Sequence, residues 1–238
     1  MTSDQANRSS RIPPGQHVTD KFPVMTAGAP DVTPAHRWTL TLEREAEDMS
    51  VETVAQWDME AFRALGLVRD VVDLHCVTRW SKLDTKWRGV RVDALLRAAG
   101  IEAPEQRYLQ AHCDGDYAAN LRLEDLRGEQ AMIALDYNDG TGFSPITLDH
   151  GGPARLLVPG LYLWKSAKWV RRLVLSPYDR KGFWEKLGYH NYGDPWREQR
   201  YRGLSDDDWR RTLDTDLSRK IREERKAKRK TAHPSGAP

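Results

Sequence analysis

Apolar positions recur along this chain at two spacings, and the spacing sorts the elements. "RWTLTLE" (37–43) places Trp38, Leu40 and Leu42 on one side of an alternating run, the pattern of a half-buried strand. "WDMEAFRALG" (57–66) spaces Met59, Phe62 and Leu65 three apart, which predicts a helix with Asp58 at its N-cap and Gly66 just past its end. "VVDLHCV" (71–77) reads as a strand, and "VDALLRAAG" (92–100) as a short helix stopped by Gly100. Further strands are expected over 107–112, 131–136, 154–158 and 169–175. Pro and Gly mark the loops, among them "NDGTGFSP" (138–145) and "DHGGPA" (149–154). Short strands interleaved with short helices predict an α+β fold of mixed sheets, with no internal repeat.

The two ends break the pattern. Residues 1–20 are polar around Pro13-Pro14-Gly15 and are expected to form a flexible arm that docks near Phe22-Pro23-Val24. The folded body is expected over 21–205. Residues 206–238 read as a charged helical tail with an acidic start, a basic end and a flexible tip, as the helix dipole favours. That tail reads either as a solvated helix or as an interaction surface.

Charge sharpens this division. The chain of 238 residues carries a net charge of +2. Leu217 to Lys230 holds eight Lys/Arg against two Glu, a net +6, so residues 1–216 sum to −4. A mildly acidic body with a basic tail does not fit a DNA-binding domain, and no nucleic-acid partner is expected. No apolar stretch approaches the roughly 20 residues that span a bilayer. The first 24 residues lack an apolar h-region and paired arginines, so a cytoplasmic location is expected. The nine tryptophans run from Trp38 to Trp209 and suggest no single binding cluster.

Common sites are excluded by their spacings. There is no P-loop, no GxSxG elbow and no CxxC pair, and Pro145 breaks the GxG of "GTGFSP" where a helix would have to start. Cys76 and Cys113 are the only cysteines, each preceded by a histidine (His75 and His112). Neighbours on a strand point to opposite faces, so neither dipeptide readily offers both side chains to one metal. For Cys113 a core position is the simpler reading. Cys76 is left as packing, nucleophile or metal ligand, and no histidine is singled out as a base for it.

A second cluster lies in "DHGGPARLLVPGLYLWKSAKWVRR" (149–172). The glycines allow close backbone approach to a ligand. Arg155, Lys165, Ser166 and Lys168 would together make a phosphate cradle or, equally, a solvated basic surface.

These motifs in this order resemble the sulfite-oxidase-like molybdopterin-binding oxidoreductases. The resemblance runs through "HCVTRWS" and the following "DALL", "DGDYAANL", "HGGPARLLVPGLYLWKSAKWVRRL" and "GFWEKLGYHNYGDPW", from about Arg11 to Tyr201, and looks like a small cytoplasmic bacterial and archaeal subgroup. It implies the sulfite-oxidase molybdopterin-binding fold over 21–205 and a molybdenum–molybdopterin cofactor. Cys76 would be the thiolate ligand to molybdenum, with Arg79 favouring its ionised form. Arg155 and the Ser166-Ala167-Lys168 segment would contact pterin and phosphate, with Lys165 a further phosphate neighbour. His150 stands where a methionine sulfoxide reductase of the family has an asparagine, and imidazole can donate or accept in its place. Thr78 replaces an acidic residue of that reductase. Tyr117 would be a substrate-side donor or, equally, a core tyrosine.

The implied activity is oxygen-atom transfer to or from a small S- or N-centred substrate, with electrons passing to or from a separate donor or acceptor. The cations near Cys76 favour a small anionic substrate. The alternative is a carrier that binds the cofactor without turnover.

Overall fold

The computed structural model describes residues 9–28 and 30–203; the expected tail over 206–238 lies outside them. The strands are β1 (His17–Val18), β2 (Thr39–Glu45), β3 (Val51–Asp58), β4 (Val68–His75), β5 (Trp80–Arg91), β6 (Tyr108–Cys113), β7 (Ala118–Arg122), β8 (Met132–Asn138), β9 (Phe143–Pro145), β10 (Arg155–Leu157) and β11 (Val170–Ser176). The helices are α1 (Met59–Ala64), α2 (Val92–Ala98) and α3 (Phe183–Lys186).

They form two mixed sheets. One runs β1-β5-β8-β10, with β4 also paired to β5 and β9 to β8; the other runs β3-β2-β11-β6-β7. Only β1/β5 and β2/β11 pair in parallel. The chain alternates between the sheets, so closing either one depends on the other.

Local chemistry sets the short helices. Asp58 accepts the Ala61 N–H at 2.8 Å and starts α1, which buries Phe62. Gly66 at φ +104° and Gly100 at φ +72° follow α1 and α2 in the left-handed region that glycine tolerates best.

Successive side chains of β8 point alternately into two cores. Ile133 and Leu135 enter a large core shared with Leu40 and Leu42 of β2 and Leu173 and Leu175 of β11. Met132 and Ala134 point the other way, into a smaller core with Leu74, Cys76, Trp80 and Trp87. A strand apolar on both faces is why "AMIALD" reads as an unbroken apolar run.

The structure bears on four expectations. The N-terminal arm is not free over its described part: β1 adds to β5, and Arg11 bridges Asp73 at 2.5 Å and Asp84 at 2.6 Å. β3, β5 and β7 were not expected. In β5, Leu83, Thr85 and Trp87 face inward while Asp84 and Lys86 are exposed, so charge masked a regular alternation. The glycines of "GGPA" serve the chain's own packing: a Cβ on Gly151 would sit 2.8 Å from the Lys168 side chain, and one on Gly152 would sit 1.9 Å from the Ile146 carbonyl oxygen. Three of the tryptophans, Trp164, Trp169 and Trp184, line one cavity while the other described ones lie elsewhere.

Candidate active site

Cys76 directly follows β4, at the start of the turn of the β4/β5 hairpin. Its N–H donates to the Trp80 carbonyl at 2.8 Å, and its carbonyl accepts from Arg79 N–H at 3.0 Å and from Gln16 Nε2 at 3.0 Å. Arg79 closes the turn at φ +73°. These bonds hold the thiol at 5% exposure, with Sγ 3.1 Å from Thr78 Oγ1. Burial pushes the thiol pKa up, while Thr78, Arg200 and Lys168 pull it down.

The thiol faces a cavity of about 310 Å3 that also receives Tyr117, His150, Arg155, Ser166, Ala167 and Lys168. The fold therefore brings together seven of the nine residues singled out in the sequence. Arg79 and Lys165 do not line the cavity. The Arg79 carbonyl accepts the His17 N–H at 2.9 Å, and the cations acting on Cys76 are Arg200 and Lys168 in its place. Arg200, 3% exposed, reaches the turn from the C-terminal segment and donates to the Val77 carbonyl at 2.7 Å. Lys165 is committed elsewhere: its ammonium pairs with Glu185 at 2.7 Å, both side chains 1% exposed, and donates to the Asn120 and Asn191 carbonyls.

Arg155 is the unusual group. Its side chain is 1% exposed, donates to the His150 and Ser166 carbonyls at 2.8 Å each, and leaves Nε without a partner. Among the described residues it has no carboxylate, and burial lowers its pKa to about 10. Lys168 donates to the Met25 and Asp149 carbonyls and is lowered to about 8, first by burial and then by Arg155. A buried charge without a counter-ion is costly. Buried Arg155 and half-buried Lys168 on one wall fit a site built for an anion, and a phosphate-bearing cofactor supplies one.

His150 stacks on Phe22 with ring centroids 4.0 Å apart and 10° between planes. Burial and the nearby Arg155 lower its pKa to about 4, so a neutral imidazole faces the cavity. Ser166 Oγ accepts the Val158 N–H at 2.9 Å, which fixes the segment that carries Ala167 and Lys168. Tyr117 donates to the Gly28 carbonyl at 3.1 Å and packs on Trp169 and Phe183. His75 points away from Cys76, bonded through Nδ1 to Ser81 Oγ at 2.8 Å.

Sequence reasoning missed Phe22, Cys113, Trp164, Trp169 and Trp184, all in the cavity wall. The tryptophans were discounted because they are dispersed in sequence. Three of them converge because β11, α3 and the turn Leu163–Lys165 meet there.

The family model for the oxidoreductase molybdopterin binding domain matches residues 26–184. The chain belongs to this family. It is 36% identical to the uncharacterized oxidoreductase YuiH of Bacillus subtilis, over 83% of this chain and 95% of that one. It is 29% identical to mitochondrial sulfite oxidase of Drosophila melanogaster over 46% of this chain, but spans only 20% of that protein. The sulfane dehydrogenase SoxCD of Paracoccus pantotrophus shares the fold, with a TM-score of 0.52 at 19% identity over 68% of this chain and 42% of that one. The protein is a sulfite-oxidase-type oxidoreductase, and its cofactor is molybdenum–molybdopterin. No described helix is long and apolar enough to cross a membrane.

Proposed function

We propose that the chain catalyses oxygen-atom transfer to or from a small S- or N-centred substrate at a molybdenum centre ligated by Cys76, and that it works in the cytoplasm. The observation that carries the reading is the wall of uncompensated cations: Arg155 and Lys168 share a cavity with a buried thiol, and no carboxylate lines it among the described residues. A sulfur-rich transition-metal centre suits a thiolate ligand, and its organic phosphate suits the guanidinium.

Bound there, the cofactor supplies two-electron exchange and oxygen transfer. The chain's own residues do the rest. Arg155 and Lys168 hold the phosphate, and the Ser166-Ala167-Lys168 segment forms the adjoining wall. Neutral His150 offers one ring nitrogen as donor or acceptor to the pterin. Cys76 presents its sulfur from a turn fixed by two backbone bonds and one from the Gln16 side chain, and Thr78 Oγ1 lies beside that sulfur. Tyr117 and the surrounding tryptophans exclude water and shape the substrate's space. Electrons come from or go to a separate partner.

Elemental mass spectrometry of the wild type and Cys76→Ser, with pterin fluorescence after acid oxidation, tests this. One molybdenum with pterin per wild-type chain, and pterin retained with altered metal chemistry in the variant, is the expected result. Zinc in place of molybdenum, or no pterin from cells that make the cofactor, would sink the reading. Cell fractionation checks the compartment.

A further inference from the structure

The charges that line the cavity limit what can share it with the cofactor. Among the described lining residues, Arg155 and Lys168 are the cationic side chains, His150 is neutral, and no carboxylate accompanies them. A phosphate monoester brings about −1.5 to −2. It therefore uses both cations. Arg79, which could have served a second anion, is outside the cavity, and Lys165 is neutralised by Glu185.

The rest of the wall is neutral and largely apolar: Met25, Tyr117, Ala118, Ala119, Trp169 and Trp184. Arg200 acts on Cys76 from behind the wall, bonded to the Val77 carbonyl, and does not line the cavity, so an oxyanion placed there would lose its hydration with no lining cation to replace it. An uncharged oxide with an apolar flank gives up far less and gains aromatic faces to pack on.

Building on the function proposed above, we infer that the substrate is a neutral sulfoxide or N-oxide bearing an apolar or aromatic group, in preference to an oxyanion such as sulfite or nitrate. The overall conversion is R–X=O with two electrons and two protons giving R–X and water, the X–O bond breaking and the oxygen leaving in that water. A one-electron donor of the reduced-viologen class supplies two electrons per turnover in the assay. This reverses the expectation of a small anion, which rested on Arg79 and the other cations near Cys76.

The test uses full-length protein whose molybdenum and pterin content has first been measured, so that loss of the cofactor, which defeats the underlying reading, is separable from a wrong substrate. Viologen-linked reduction of methyl phenyl sulfoxide and pyridine N-oxide is compared with viologen-linked nitrate reduction and ferricyanide-linked sulfite oxidation. A kcat/KM at least roughly tenfold higher for a neutral oxide is expected. Loaded protein that prefers sulfite or nitrate overturns the inference.

Binding gives a readout independent of turnover. Methyl phenyl sulfide should quench the fluorescence of the lining tryptophans at concentrations where sulfate does not, and equal responses count against the inference. Met25→Lys adds a cation at a half-exposed wall position. It should narrow the preference by about threefold or more; an unchanged preference shows that charge does not set it.

Discussion

Lys165 gives its ammonium to Glu185 at 2.7 Å and to oxygens of Asn120 and Asn191, whereas Lys168, three residues on, reaches two backbone carbonyls and has Arg155 for an electrostatic neighbour. Lys165 is buried and Lys168 half-buried. One has its charge cancelled inside the chain, and the other keeps a charge that the chain does not cancel. The pair teaches where to look for a ligand. A buried cation that the fold has already satisfied is structural, and one that it has left uncompensated awaits an anion.

The comparison breaks most visibly at Glu185. Glu185→Ala strands the Lys165 charge and removes the acceptor of the Trp164 indole N–H, bonded at 2.8 Å. It should destabilise the fold by about 3–5 kcal/mol in urea denaturation. The double change Lys165→Met with Glu185→Leu should recover most of that, because burying neither charge removes the desolvation cost. Failure to recover would show that the asparagine contacts, not the ion pair, hold Lys165 in place.

Next in size are the cations of the cavity. Arg155→Met and Lys168→Met should each lower molybdenum and pterin content about tenfold to a hundredfold, the worth of a charge-assisted contact. Melting temperatures should shift much less than for Glu185→Ala. A loss of cofactor from Lys165→Met with Glu185→Leu as large as from Lys168→Met would erase the distinction.

A smaller effect separates neutral from charged groups. Burial, with Arg172 and Lys186 nearby, lowers His112 from 6.5 to about 4. The unfolded chain therefore takes up a proton below about 6.5 that the folded chain refuses until about 4. Stability should fall as pH drops through that window, and His112→Gln should flatten the slope. An unaltered slope in pH-dependent denaturation would place the linkage on other groups.

The smallest change is expected at Arg79. Its side chain does not line the cavity, so Arg79→Ala should leave cofactor content within about twofold of wild type; a tenfold loss would return it to the site.

Much of the scaffold was legible because its signals are local. β2 showed in the alternation of Trp38, Leu40 and Leu42, and α1 in the Asp58 cap, the spacing of Phe62 and the stop at Gly66. β5 was missed because its solvent face carries Lys86 and Asp84 between inward residues, which reads as a charged loop unless alternation is counted. β3 was missed because it lies at a sheet edge with little burial to leave a pattern. In the site, the ordered motifs pointed to Cys76, Tyr117, His150, Arg155 and the 166–168 segment, all of which the cavity collects.

The sequence by itself determined the periodicities, the caps and stops, the motif order, and hence the family and its cofactor. Only the tertiary structure decided which cations are compensated, that Phe22 stacks on His150, and that dispersed tryptophans wall one cavity. The physical reason is range. Capping and amphipathic spacing act over a few residues of chain. A charge's fate depends on which groups lie within a few ångströms, and for Lys165 those come from Asn120, Glu185 and Asn191, brought beside it by the fold.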